Sequence, residues 1–152
     1  MTNPIRIIVA DDHPVVRDGL VAILGTQDDF EIVATADNGN DLIKKARLHQ
    51  PNVILTDLEM PESDGIVAIQ TLTREIPDTA FIVFTAFDTD ERIVSAIRAG
   101  ARGYLLKGAR RDDVFQAIRI VSAGGSLLEP SVASKLLRQL STEKENDQNL
   151  IE

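Results

Sequence analysis

The chain has 152 residues and contains neither cysteine nor tryptophan. Without cysteine there can be no disulfide scaffold, thiolate zinc site or cysteine nucleophile, and the redox compartment cannot be read from thiol pairing. Histidine is nearly absent too, with only His13 and His49, which argues against a histidine-rich metal site. Basic charge is short: 16 Lys and Arg face 24 Asp and Glu, a net charge of -8. Such a chain repels the phosphate backbone, so it is not expected to bind DNA by itself. No apolar run approaches the roughly 18 residues of a membrane span. Met1-Thr2-Asn3-Pro4 lacks the basic, apolar and small-residue regions of a signal peptide. A soluble, cytoplasmic protein with no membrane partner is expected. Aromatics are limited to five Phe and one Tyr. The core must therefore come from Ile, Val, Leu and Ala, and Tyr104 calls for a role of its own.

What is present is a 43% apolar, 26% charged chain, ordinary for one globular domain. Short β-branched runs alternate with helical patterns. Ile5 to Ala10, Ile32 to Ala34, Val53 to Leu55, Phe81 to Phe84 and Gly103 to Leu106 read as strands. The first and fourth are almost continuously apolar, as strands covered on both faces are. Between and after them come five helical stripes: Val16-Leu20-Ile23-Leu24, Leu42-Ile43-Ala46 extending to Leu48, Ile66-Ile69 with Leu72 or Thr73, Ile93-Val94-Ile97 and Val114-Ala117-Ile118-Val121. Pro14 suits a helix start, and Gly25, Gly100 and Gly124-Gly125 suit helix ends. This alternation predicts an α/β fold with a five-stranded parallel sheet and helices on both faces. A further stripe, Val132, Leu136, Leu137 and Leu140, opens at Pro130. Ser141 to Glu152 is polar and aperiodic and reads as linker or frayed tail.

Parallel strands joined by right-handed crossovers end on one edge of the sheet, where open α/β folds bind ligands. Asp11 and Asp12 follow the first strand, Asp57 the third, Thr85 the fourth and Lys107 the fifth. Each has an ordinary reading: the Asp pair as helix caps, Asp57 as a turn residue, Thr85 and Lys107 as strand-end and loop residues. His13 reads as a helix-start residue, and Gly65 and Gly108 as turn positions. Together the five suggest one chemistry. Three converging carboxylates repel by roughly 4 kcal/mol per close pair at an effective dielectric near 20. A hard cation such as Mg2+ would relieve this. A carboxylate can be a nucleophile toward phosphorus, while a metal, an ammonium and a hydroxyl stabilise the phosphoryl oxygens. Asp57 is the natural acceptor, with Asp11 and Asp12 holding the metal.

These residues stand in motifs that resemble a response-regulator receiver domain. Asp57-Leu58-Glu59-Met60-Pro61-Glu62-Ser63-Asp64-Gly65 matches the pattern D-L-x-M-P-x-x-D-G. Val9-Ala10-Asp11-Asp12-His13-Pro14-Val15-Val16-Arg17 resembles the opening of the NarL/FixJ-like (LuxR-type) subgroup, and Ala99 to Lys107 the strand that leads to the family lysine. The resemblance covers about residues 5–123. It implies a flavodoxin-like (CheY-like) sheet of order 2-1-3-4-5 and phosphoryl transfer to Asp57 from a sensor histidine kinase. It further implies Mg2+ held by Asp12, Asp57 and the backbone carbonyl of Glu59, with Asp11 supporting through water. Lys107 would pair with the phosphoryl oxygens, Thr85 would move to bond the phosphorylated Asp57, and Tyr104 would swing inward behind it. Output would pass through the fourth and fifth helices or through a homodimer using the first and fifth.

Two positions depart from the common pattern. Gly108 stands where many receivers have proline, so no cis peptide bond is expected after Lys107. Glu59 puts a carboxylate near the phosphoryl site, where it is expected to affect metal affinity or the phosphoryl lifetime. The implied organisation is a receiver over 1–125 and a linker helix with polar tail over 126–152. The subgroup's helix-turn-helix module, the route to DNA, is not in this sequence, so a piece of a longer transcriptional regulator is expected rather than a natural stand-alone receiver. A haloacid-dehalogenase-like phosphatase would also use Asp, Thr, Lys and an acidic pair. That family has the acidic pair last and D-x-D where this chain has Asp57-Leu58-Glu59. A receiver serving only as a scaffold is disfavoured by the presence of Asp11, Asp12, Asp57, Thr85 and Lys107. Apart from its own phosphoryl transfer and dephosphorylation, the domain is not expected to be an enzyme.

Overall fold

A computed structural model describes residues 3–61 and 64–151, with backbone alone from 143 onward. The elements alternate as β1 (Ile5–Ala10), α1 (Pro14–Leu24), β2 (Phe30–Ala36), α2 (Gly39–His49), β3 (Val53–Thr56) and α3 (Gly65–Glu75). They continue as β4 (Ala80–Thr85), α4 (Asp90–Ala99), β5 (Gly103–Leu106), α5 (Arg111–Ser122), β6 (Leu127–Leu128) and α6 (Pro130–Ile151). All pairings are parallel, in the order β2-β1-β3-β4-β5-β6. The five expected strands are present in the expected order, and β6 extends the sheet to six. Two residues are too few to show a period of two, which is why β6 left no mark in the sequence.

Side chains alternate across the sheet and divide the core in two. Ile8, Ala10, Ile54, Phe81, Val83 and Tyr104 face α2, α3, α4 and α6. Ile7, Val9, Val53, Leu55, Ile82, Phe84 and Leu105 face α1 and α5. Strands β3 and β4 lie in the middle and are buried throughout, which accounts for their unbroken apolar sequence. Helix ends follow local chemistry. Asn38, Asp64 and Thr89 cap α2, α3 and α4 by accepting from Asp41, Ile66 and Arg92 backbone N–H groups. Gly100 ends α4 at φ 124°, and a Cβ there would come within 2.7 Å of Thr73 Oγ1.

Helix α6 runs well past Leu140, where the apolar stripe ends and a linker or frayed tail was expected. Glu, Lys, Gln and Leu are good helix formers, so the polar stretch continues the helix without an apolar face. Glu152 lies outside the described residues. No helix among the described residues is long and apolar enough to cross a membrane.

Candidate phosphoacceptor site

Strand β1 lies between β2 and β3, so the chain reverses direction of travel across the sheet at the β1–β3 boundary. Crossovers on either side of such a point leave a crevice above the strand ends. Ala10 and Thr56 are register partners there, which sets Asp11 and Asp57 side by side. Backbone bonds hold both: Asp11 N–H donates to Ala36 O at 3.0 Å and Asp57 N–H to Ala10 O at 3.0 Å. Across the crevice Thr85 pairs with Leu106, and Lys107 N–H donates to Thr85 O at 2.9 Å. The register of four strands thus brings Asp11, Asp12, Asp57, Thr85 and Lys107 to one end of the sheet.

Lys107 is the centre of charge. Its ammonium donates to Asp57 Oδ2 at 2.8 Å and lies 3.0 Å from Asp11 Oδ2. Burial pushes the Lys107 pKa down, but the hydrogen bonds and charges of Asp57 and Asp11 outweigh it and leave the pKa raised. The two carboxylates are 3% and 1% exposed, so the ammonium compensates charge that water hardly reaches.

Neither Asp11 nor Asp12 caps α1. The N-cap is His13, which makes no side-chain cap bond. Instead His13 serves the carboxylates. Its backbone N–H donates to Asp11 Oδ1 at 2.9 Å, and its Nδ1 stands 3.0 Å from Asp11 Oδ1 and 3.1 Å from Asp12 Oδ1. Arg17 Nη1 donates to Asp11 O at 3.1 Å. Sequence reasoning found no role for His13 or Arg17; position at a helix start was their only signal.

The acidic end of the site has the make-up of a hard-cation cradle. Oxygen atoms of Asp11, Asp12 and Asp57 and a ring nitrogen of His13 all lie within 4.8 Å of one another. Asp11 Oδ2 and Asp12 Oδ1 are buried and accept no well-aligned hydrogen bond, although Lys107 Nζ lies 3.0 Å from the first and His13 Nδ1 3.1 Å from the second. Buried carboxylate oxygens left poorly bonded are costly, and three carboxylates form the donor set Mg2+ prefers. The residues fit. The Glu59 carboxylate is not part of this cluster. It pairs with Arg92 of α4, whose Nη1 also lies 3.9 Å from Asp64 Oδ2. Only the Glu59 backbone stays at Asp57, its N–H donating to Asp57 Oδ1 at 3.3 Å. Arg92 was missed in the sequence because its partners are far away in the chain.

Gly65 has a reason more specific than a turn. It opens α3, and a Cβ on it would stand 2.8 Å from Asp57 O and 2.9 Å from Leu58 Cα. The helix approaches the Asp57 loop too closely for any side chain. Gly108 has open space around it, and no cis peptide bond occurs among the described residues.

Thr85 and Tyr104 are both fully buried. Thr85 Oγ1 accepts from Phe87 N–H at 3.3 Å, and the Tyr104 hydroxyl donates to Phe87 O at 2.5 Å. The ring expected to swing inward is already inside. Burial is the main cause that pushes its phenol pKa far up.

Comparison with known proteins agrees with this geometry. Residues 7–119 match the model for the response regulator receiver domain. The chain is 36% identical over 145 residues to the oxygen regulatory protein NreC of Staphylococcus carnosus, covering 95% of this chain and 67% of that protein. It is 41% identical over 142 residues to the transcriptional regulatory protein LiaR of Bacillus subtilis, covering 93% and 67%. The chain thus spans about two thirds of the length of these relatives. Among solved structures it resembles the signal receiver domain of NarL from Mycobacterium tuberculosis, with TM-score 0.77, 30% identity, and coverage of 81% and 99%. It also resembles a LuxR-family response regulator from an Aurantimonas species, with TM-score 0.85, 26% identity, and coverage of 91% and 99%. With the receiver model matched over most of its length and relatives above 30% identity along nearly all of it, the chain belongs to the response regulator receiver-domain family, of the NarL/LuxR type.

Proposed function

We propose that Asp57 accepts a phosphoryl group from a sensor histidine kinase, with Mg2+ held by Asp12, Asp57 and the Glu59 backbone carbonyl and Asp11 in support. The observation that carries this reading is Lys107 bridging Asp57 and Asp11 at 2.8 and 3.0 Å above the β1–β3 crevice. Such a site has a nucleophile, an acidic metal cradle and a fixed cation within reach of one phosphorus.

In the transfer, a carboxylate oxygen of Asp57 forms a bond to phosphorus while the donor's P–N bond breaks. The donor imidazole leaves with the electron pair and takes its proton from water. The Lys107 ammonium faces the charge on the phosphoryl oxygens. Bound Mg2+ would supply further positive charge to those oxygens and relieve the repulsion among the three carboxylates. The Thr85 hydroxyl accepts from Phe87, which leaves its own hydrogen free for a phosphoryl oxygen. Attack of water on phosphorus later returns the Asp57 carboxylate and inorganic phosphate, so the domain acts as a switch rather than as a turnover enzyme.

The rest of the reading is organisation. Residues 1–125 form the phosphoacceptor unit in the cytoplasm, and 126–152 connect it to an output module, with phosphorylation favouring a homodimer. DNA contact would belong to that module. RcsB, a neighbour with TM-score 0.81 and 27% identity, is described in complex with DNA. The test is intact mass after incubation with a small phosphodonor. A gain of one phosphoryl group that needs Mg2+ and is lost in Asp57→Asn is expected. No gain with Mg2+ present, or the same gain in Asp57→Asn, would overturn the reading.

A further inference from the structure

Helix α6 is fastened to the segment between β4 and α4. Val132 is fully buried in the same core cluster as Tyr104, and Leu136 packs against that cluster. Lys135 Nζ donates to Asp88 O at 2.9 Å and to Asp88 Oδ2 at 2.7 Å. Arg138 Nη2 adds a longer bond to Asp90 Oδ1 at 3.2 Å. A lysine kept for solubility would extend into water, whereas this one grips a backbone carbonyl as well as a carboxylate and is only 26% exposed.

What it grips stands next to Phe87, which is bonded to both Thr85 and Tyr104. Phe87, the neighbour of Asp88, is bonded through its N–H to Thr85 and through its carbonyl to Tyr104. A short chain of bonds therefore runs from α6 through Asp88 and Phe87 to the hydroxyl beside the phosphoacceptor and to the ring behind it.

We propose that Lys135 is a positioning residue for the phosphoacceptor site: docked α6 clasps the Phe87–Asp88 segment in the shape that holds Thr85 and Tyr104 inward, so α6 docking and phosphorylation of Asp57 favour one another. The proposal rests on the phosphoacceptor reading above. Thr85 and Tyr104 are both fully buried, and both are bonded to Phe87. α6 packs on this arrangement. Coupling between two events is reciprocal, so whatever loosens the clasp must also disfavour the phosphorylated form. The size follows from the kind of contact. A part-exposed ion pair contributes an equilibrium factor of roughly two- to five-fold.

The protein supplies its own probe. Tyr104 is the only tyrosine and there is no tryptophan, so intrinsic emission reports this ring alone. The experiment compares the full chain with Lys135→Ala, Lys135→Arg and the control Arg47→Ala, which breaks the Arg47–Glu75 pair between α2 and α3. Two quantities are read: acrylamide quenching of tyrosine emission, and the rate of phosphoryl uptake from acetyl phosphate with Mg2+ by intact mass. Lys135→Ala should make Tyr104 more accessible and slow uptake by roughly two- to five-fold. Lys135→Arg should restore both, and Arg47→Ala should change neither. An unchanged uptake rate in Lys135→Ala, or a ring no more accessible than in the wild type, overturns the proposal. Absence of uptake in the wild type itself overturns the phosphoacceptor reading, and the coupling with it.

Discussion

Replacing Lys107 by alanine tests the electrostatics of the site apart from any chemistry. Asp11 and Asp57 are almost completely buried, and Lys107 is the cation beside them, at 3.0 and 2.8 Å. Their ligand atoms lie within 4.8 Å of each other. At an effective dielectric near 20, repulsion at that separation is about 3.5 kcal/mol. Breaking a buried pair by removing one partner costs about 3–5 kcal/mol. Because the Lys107 side chain keeps 21% of its exposure, the lower end applies. Lys107→Ala should therefore lose about 3 kcal/mol at neutral pH without Mg2+, read from urea unfolding followed by circular dichroism. Added Mg2+ should return a large part of the loss by taking over the compensation. Combining Lys107→Ala with Asp57→Asn should recover stability without metal, since only one of the facing carboxylates remains. A loss below about 0.5 kcal/mol, the range of an ordinary surface substitution, would refute the reasoning. So would a loss that neither Mg2+ nor the second substitution relieves.

Three further outcomes follow from packing and burial. Gly65→Ala should cost about 1 kcal/mol in urea unfolding, because overpacking against Asp57 O outweighs the gain in helix propensity. Leu72→Ala, on the buried face of α3, should lose about 2–5 kcal/mol, while Leu48→Ala, 76% exposed, should stay within about 0.5 kcal/mol. Burial raises the Tyr104 pKa above its ordinary 10.0, so the folded state holds that proton more tightly than the unfolded one. Stability linked to Tyr104 is then complete below pH 10 and is lost as pH rises above it. An alkaline titration of tyrosine absorbance should show the ring ionising only as the fold is lost. Ionisation at the ordinary phenol value in the intact fold would contradict its burial.

Much of this architecture was legible because it is repeated locally. β1 and β5 have the limits that their apolar runs suggest, since most of each strand is buried between the helix layers. β2 is longer than Ile32 to Ala34 because it pairs only with β1 and tolerates polar Glu31 and Thr35. The five site residues were visible because strand ends are visible and parallel strands share an edge. What the sequence could not show depends on contacts between distant segments. The Glu59–Arg92 and Asp88–Lys135 pairs have no local period, and Gly65 looks like any turn glycine until α3 is seen against the Asp57 carbonyl. The α6 extension was hidden for another reason: an apolar stripe marks where a helix docks, not where it ends.

The measurement that tests the central claim most directly locates the phosphoryl bond. After treatment with a small phosphodonor and Mg2+, borohydride reduces an aspartyl phosphate to the corresponding alcohol, and peptide mass spectrometry identifies the residue. The account predicts the reduced product at Asp57 alone, with Asp11 and Asp12 unchanged. Product at Asp11 or Asp12, or phosphate on a hydroxyl that resists the reduction, would contradict it.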